Sequence, residues 1–424
     1  MISTNIPSSE STFCRTIDKL PRRRTSASVT FFWFFGFCAA LMMLTANTAV
    51  ADDADNDKVV VASLISDLSA SKFLVRQRAM NSLVAIGEYA IPQLSAAVRD
   101  GDRETRFRAG RVLDAVEQNA FQQKLEQFIK AGVGDVHINL PGWRAFCARI
   151  SETSESRRVF AQISRAEPRL CRSIEHGPAE VGDEINRRSR EIQGALRENR
   201  AYSITLGTIA GLLFAAGIDD VKLNSYGVKN IFGLCNQSTF RNELRVQTSA
   251  TSYAYAKTAK ANILRELFAD CLMHFNNRDA QLAFSLSMLL NIPQCLPRAL
   301  ELVRNKQTPC YVVQTVMVAV AMFGDKEDIA VLELRVADKS FCGVAQRINN
   351  VQYQTQLRDV AIAAMLILAK EDPQQYGFSR IKVFPTGQFN ISQVGFVTDE
   401  ARVKTLSKWE AFRATLKIPR LEGK

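Results

Sequence analysis

Histidine is scarce in this 424-residue chain: three residues, at 137, 176 and 274. No two of them lie within helical reach of each other, so a zinc site of the usual kind lacks ligands. No C-x-x-C pair occurs, nor a G-x-x-x-x-G-K-[S/T] loop, nor a G-x-S-x-G elbow. These gaps remove the common redox, phosphate-loop and serine-hydrolase signatures. The loop Gly132-Val133-Gly134-Asp135-Val136-His137 begins like a phosphate cradle. His137 occupies the third glycine position, however, and no strand–helix–strand pattern surrounds the loop. The neighbours Asp219 and Asp220 offer paired carboxylates but directly follow an apolar stretch, where a helix-terminal turn is expected. No catalytic set, cofactor site or metal site is therefore expected.

The composition is that of an ordinary globular protein, with 47% hydrophobic and 23% charged residues. That excludes a mostly disordered chain, a collagen-like chain and a small disulfide-stapled scaffold. Lysine and arginine number 54 against 43 acids, a net charge of +11. Such a balance invites a nucleic-acid reading.

The first residues weaken that reading. Residues 1–27 carry Arg15, Lys19, Arg22, Arg23 and Arg24; an apolar run follows from Val29 to Leu44; then come Ala49-Val50-Ala51 and an acidic Asp52-Asp53-Ala54-Asp55. A basic region, a hydrophobic core and an Ala-x-Ala site in this order read as a secretory signal, cleaved between Ala51 and Asp52. The rival is an uncleaved anchor at 29–44, although that run is shorter than the roughly 20 residues of a spanning helix. Without residues 1–51, which hold five bases and two acids, 49 bases face 41 acids and the net charge is +8. The bases also interleave with acids: in 142–200, twelve arginines face nine carboxylates. A solvated helical surface explains this pattern, and nucleic acid is not an expected partner.

Seven cysteines follow the signal, at 147, 171, 235, 271, 295, 310 and 342. An odd number cannot all pair internally. Most sit in apolar helical contexts, where cysteine acts as a small buried hydrophobe. An oxidising compartment would allow a short Cys295–Cys310 bridge. Asn236-Gln237-Ser238 and Asn390-Ile391-Ser392 are glycosylation sequons, which matter only in a host that modifies them.

Nearly every periodic stretch has the 3.6-residue period of a helix. Residues 58–119 repeat at an offset of 30: Leu64 matches Leu94, Leu68 Val98, Arg76 Arg106, Arg78 Arg108, Ala79 Ala109, Leu83 Leu113 and Ile86 Val116. Each copy reads as helix, turn, helix. Gly87 ends one copy, and Pro92 opens the next in a first turn, where its missing N–H costs nothing. The alanines let helices approach closely. Val75-Arg76-x-x-Ala79 and Thr105-Arg106-x-x-Ala109 resemble the second helix of HEAT repeats, the hairpin units of armadillo-like α-solenoids. Thr105 departs from that pattern. A ladder is expected, in which Arg76 and Arg106 bond carbonyls or acids of a neighbouring turn while Arg78 and Arg108 face solvent.

A weaker echo lies at Val320–Val336 and at Leu357–Leu368, where Arg358 and Ala361 repeat the Arg-x-x-Ala spacing. The expected organisation is a signal at 1–51, HEAT-like repeats at 52–119, an irregular helical region at 120–278, HEAT-like units at 279–371, and a loop with a final helix at 372–424. In the middle region, helices are expected at 121–131, 142–150, 154–166, 178–200, 202–216, 225–236 and 251–275. The apolar stretch 202–217 is the expected centre of the core. The fold class is all-α, with an α-solenoid arrangement. Such repeats imply a periplasmic or secreted scaffold that binds a protein partner. Two alternatives remain: an enzyme framed by HEAT-like units, as in chromophore lyases, with a pocket in the helical middle, or an envelope adaptor anchored in the membrane by 29–44.

Overall fold

The computed structural model describes residues 57–134, 139–198, 204–247, 253–275, 280–343, 345–419 and 421. The signal region with its Ala51–Asp52 junction, and His137, lie outside these residues. The chain divides into two compact units, Met1–Ala120 and Phe121–Lys424. Helices dominate both. Among the described residues, the only ladders are two antiparallel hairpins of three-residue strands, Arg245–Gln247 with Tyr253–Tyr255 and Gln346–Ile348 with Val351–Tyr353.

In the first unit, helices cover residues 57–67, Phe73–Ile86, Ile91–Asp100 and the start of Arg103–Lys130. Gly87 ends the second of these with a positive φ of 73°, which glycine adopts without a Cβ clash. Asp102 opens the long helix. Its carboxylate accepts the Glu104 and Thr105 backbone N–H groups, each at 2.9 Å, and the Thr105 hydroxyl at 2.8 Å. Those bonds hold the Asp102 carboxyl below its usual range. Ala79, Leu83, Leu94, Ala109, Val112 and Val116 share one apolar cluster with Val61 and Leu68. The 30-residue match therefore buries both alanines.

The second unit is built around the helix Leu206–Ala216, in which every residue from Gly207 to Ala216 is buried. The sequence places its start at 202, but the Thr205 side chain caps it by accepting the Thr208 N–H at 3.2 Å. Two glycines set how closely it meets the helix Ser154–Ala166. A Cβ on Gly207 would sit 2.2 Å from the Gln162 carbonyl oxygen, and one on Gly211 would sit 3.2 Å from Ile163 Cγ2. Phe128, Trp143, Phe146, Phe160 and Phe214 join this crossing, with the Phe128 and Trp143 ring centres 4.9 Å apart. One cluster of buried side chains continues from Leu125 to Trp409, across the division expected at 278/279. Its far side comprises the helices Leu296–Arg304, Cys310–Phe323, Leu357–Leu368 and Asp399–Arg413.

Helix limits differ from the expected ones where short strands intervene. The helix expected over 251–275 spans Ala259–Met273, because Tyr253–Tyr255 pairs as a strand. Between the expected helices 154–166 and 178–200, Pro168 opens a further helix, Pro168–Ile174, with proline in the first turn. All seven cysteines from Cys147 onward are free thiols, including Cys295 and Cys310.

Buried arginines serve as internal fasteners. Arg298 donates to the Phe275 carbonyl at 2.7 Å, Arg335 to Val303 and Asn305 at 2.8 Å each, and Arg413 to Ile418 at 2.8 Å. A guanidinium has five donors in a fixed plane, so one side chain can satisfy carbonyls left open at helix ends. Part of the arginine surplus is accounted for in this way, inside the protein.

Candidate functional site

A polar concavity of about 630 Å³ lies between the helices Pro168–Ile174 and Pro178–Arg197. Arg169, Arg172, Ser173 and His176 form one wall at helical spacing. Glu180, Asp183, Glu184, Arg187 and Arg190 form the other at the same spacing, with Asn186 beside them. The opposite face of the second helix buries Val181, Ile185 and Ile192, which fixes its polar face toward the cleft. Asn224, the N-cap of the helix Ser225–Cys235, completes the lining.

The charges in the cleft are unequally engaged. Arg187 donates to Glu184 through Nε at 2.7 Å and Nη2 at 2.5 Å, and Nη1 bonds Glu191. The Arg187 bonds hold the Glu184 carboxyl below its usual range. Arg169 approaches Glu184 only to 3.7 Å. Arg172 and Arg190 are exposed and make no ion pair among the described residues. His176 Nδ1 lies 3.1 Å from Glu180 Oε1. Asn186 Oδ1 is buried without a hydrogen-bond partner among the described residues. The Ser173 hydroxyl donates to the Leu170 carbonyl at 2.8 Å, so it is turned into its own helix.

A second constellation gathers residues distant in sequence. Arg149 Nε lies 3.3 Å from the Gly217 carbonyl, which ends the central helix, and 3.1 Å from Asp270 Oδ2. Its Nη2 lies 3.4 Å from Asp219 Oδ2, and His274 Nε2 lies 3.6 Å from Asp219 Oδ1. Burial pushes the Asp270 carboxyl up, and Arg149 opposes that shift. Asp219 is 79% exposed and shares the site with a guanidinium. Asp220 has a positive φ of 63°, as in a tight turn. Arg149 thus places a cation at the C-terminus of Leu206–Ala216, where the helix dipole favours one, and ties it to Asp270 in the last turn of Ala259–Met273.

The arginines of the expected ladder differ from each other. Arg76 Nη1 donates to the Ala70 and Ser71 carbonyls at 2.8 and 2.7 Å, closing the turn before its own helix. Arg106 is exposed, and Thr105 beside it is buried. Arg78 is exposed, while Arg108 is half-buried and paired with Glu104. Among the described residues, no group of three histidine, cysteine or acidic side chains is placed to hold a metal ion, and no helix is long and apolar enough to cross a membrane.

Neither constellation is evident from the sequence. The spacing 169, 172, 173, 176 is a polar helical face, but the helix that carries it falls between the expected helices 154–166 and 178–200 and is only seven residues long. Comparison with family models, with curated proteins and with solved structures found no match.

Proposed function

We propose that this chain is an exported HEAT-like α-solenoid protein that serves as a protein-interaction scaffold. The observation that carries the reading is apolar exposure on the second helices of the two matching hairpins. Phe73, Leu74 and Phe107 are each more than 60% exposed. Position 107 is the 30-residue counterpart of Gln77, one helical turn after Phe73, so these residues fall on equivalent faces. Large apolar side chains grouped on one face mark interaction surfaces. The basic, apolar and Ala-x-Ala order of residues 15–51 supports export.

Site-specific photo-crosslinking tests the reading. A crosslinker at position 74 in the native host should trap a discrete protein, and Phe73→Ser with Phe107→Ser should abolish the adduct. An adduct unchanged by those substitutions would count against the face. The N-terminal sequence of the protein from the cell envelope tests export: Asp52 as the first residue supports cleavage, and an intact chain in the membrane fraction supports the anchored alternative.

His176 in the cleft favours a second reading, an enzyme with its pocket in the helical middle. The cleft supplies an imidazole and carboxylates but no serine or cysteine poised beside them, since Ser173 bonds its own helix.

A further inference from the structure

We propose that a separate pocket, between the helices Arg103–Lys130, Ser154–Ala166 and Pro168–Ile174, binds a short aliphatic carboxylate. The hydrocarbon chain lies inside, and Lys124 and Arg172 hold the carboxylate at the mouth. This does not rest on the scaffold reading.

The lining is the first argument. The pocket has a volume of about 280 Å³, just under the usual range for drug-sized ligands, so its occupant is small. Phe121, Leu140, Pro141 and Pro168 supply apolar walls. Ser164 and Cys171 also line it, both buried, with Oγ and Sγ 3.8 Å apart. They face each other, so neither requires a hydrogen bond from a ligand. Burial pushes the Cys171 thiol up to about 12, so it stays neutral near pH 7 and does not repel an anion. A hydrocarbon chain in this space leaves water for carbon and neutral sulfur, which favours entry.

Charge is the second. The charged members of the lining are Lys124 and Arg172, both exposed, and among the described residues no carboxylate shares it. Residues three and four positions from Lys124 on its helix are Ala120, Phe121, Gln127 and Phe128, none of them acidic. Arg172 has Glu175 one turn on, but Glu175 Oε1 accepts the Gly142 backbone N–H at 2.6 Å. Arg172 also borders the polar concavity, whose acids lie on Pro178–Arg197, a helix that contributes nothing to this lining. An apolar pocket with two cations at its rim suits a ligand that is apolar at one end and anionic at the other. The guanidinium fork of Arg172 matches the two oxygens of a carboxylate, and Lys124 adds a point charge.

Isothermal titration calorimetry of the full chain tests the proposal, with octanoate, butyrate and octyltrimethylammonium as probes at concentrations where each is monomeric. Octanoate should bind. Butyrate, with the same head and a shorter chain, should bind at least about tenfold more weakly, since each buried methylene contributes. Octyltrimethylammonium, with the same chain and the opposite charge, should not compete. Lys124→Gln with Arg172→Gln should weaken octanoate binding about tenfold, through loss of two charge-assisted contacts. Both side chains are exposed, so the variant should fold, which a circular-dichroism melt will show. Arg158→Gln, paired with Glu155 and outside the lining, should leave affinity unchanged. Absence of octanoate binding overturns the proposal, as does equal affinity for butyrate or for the ammonium probe. An unchanged affinity in the double variant, or an equal loss with Arg158→Gln, overturns it too.

Discussion

Arg402 Nε donates to Asp359 Oδ1 at 2.7 Å, and neither side chain meets solvent to any extent: Asp359 is 0% exposed and Arg402 4%. This pair fastens the helix Asp399–Arg413 to the helix Leu357–Leu368. Arg402 also bonds Asp399 and donates to the Gln354 carbonyl at 3.0 Å. Asp359 accepts the Gln356 N–H at 2.9 Å through its other oxygen. Burial nevertheless prevails and pushes the Asp359 carboxyl from 3.8 up to about 6, against the Gln356 and Arg402 bonds.

The sign of the pH effect follows. A carboxyl whose pKa is raised by folding stabilises the native state when protonated, and that contribution is lost as pH rises through the folded value. A rise of this size corresponds to about 3 kcal/mol. Relative to Asp359→Asn, which does not titrate, the wild type should lose stability between roughly pH 4 and pH 6. Urea midpoints of both proteins across that range will check it; a constant difference would contradict the raised carboxyl.

Arg157 is 1% exposed. Its guanidinium lies 4.9 Å from the Phe128 ring centre and 5.5 Å from that of Trp143, donates to the Phe128 carbonyl at 3.2 Å and pairs with Glu152. Arg157→Ala should cost about 3–5 kcal/mol, because it removes both the contacts with two aromatic rings and the partner of a carboxylate. Arg157→Lys should recover little, since an ammonium lacks the planar fork that reaches both the Glu152 carboxylate and the Phe128 carbonyl. Denaturation followed by tryptophan fluorescence measures both.

Two glycines of the second unit should respond oppositely to alanine. At Gly207 the new Cβ would meet the Gln162 carbonyl at 2.2 Å, so the central helix must move away from Ser154–Ala166. A loss of about 2 kcal/mol or more is expected, as for overpacking. At Gly233, exposed in the helix Ser225–Cys235, nothing lies within 4 Å of the added atom. There alanine should stabilise by about 0.5–1 kcal/mol through helix propensity. A denaturation midpoint that rises for both would contradict the close approach at Gly207.

Burial pushes the Cys171 and Cys342 thiols up to about 12 and that of Cys147 to about 11, and raises Cys235, Cys271 and Cys295 further. The thiolate is the reactive form. At pH 8, a maleimide should label half-buried Cys310 first among the seven thiols. Peptide mass spectrometry of briefly treated native protein will show the order, and equally rapid labelling of Cys235 would contradict its burial.

Local periodicity makes much of the helical content legible. The helix expected at 154–166 spans Ser154–Ala166, and the apolar stretch after Tyr202 lies at the centre of the second unit. Such elements carry their own signal, because their buried faces recur along the chain. The two hairpins carry none: three-residue strands are too short for alternation to register. The cleft is hidden for a different reason. Its walls are polar helical faces that read as solvated, and only tertiary packing turns them toward each other. Arg149 meets Asp219 across 70 residues of chain, and Asp270 and His274 join them from farther on, at helix ends where spacing is uninformative.

The helix Leu206–Ala216 has no solvent-facing side. An ordinary amphipathic helix can fray toward water while its core face stays docked. This one cannot release a backbone amide without the helices around it parting first. Its amides should therefore be the last of the second unit to exchange with deuterium, at the rate of global unfolding, and so provide a native-state reading of that unit's whole stability.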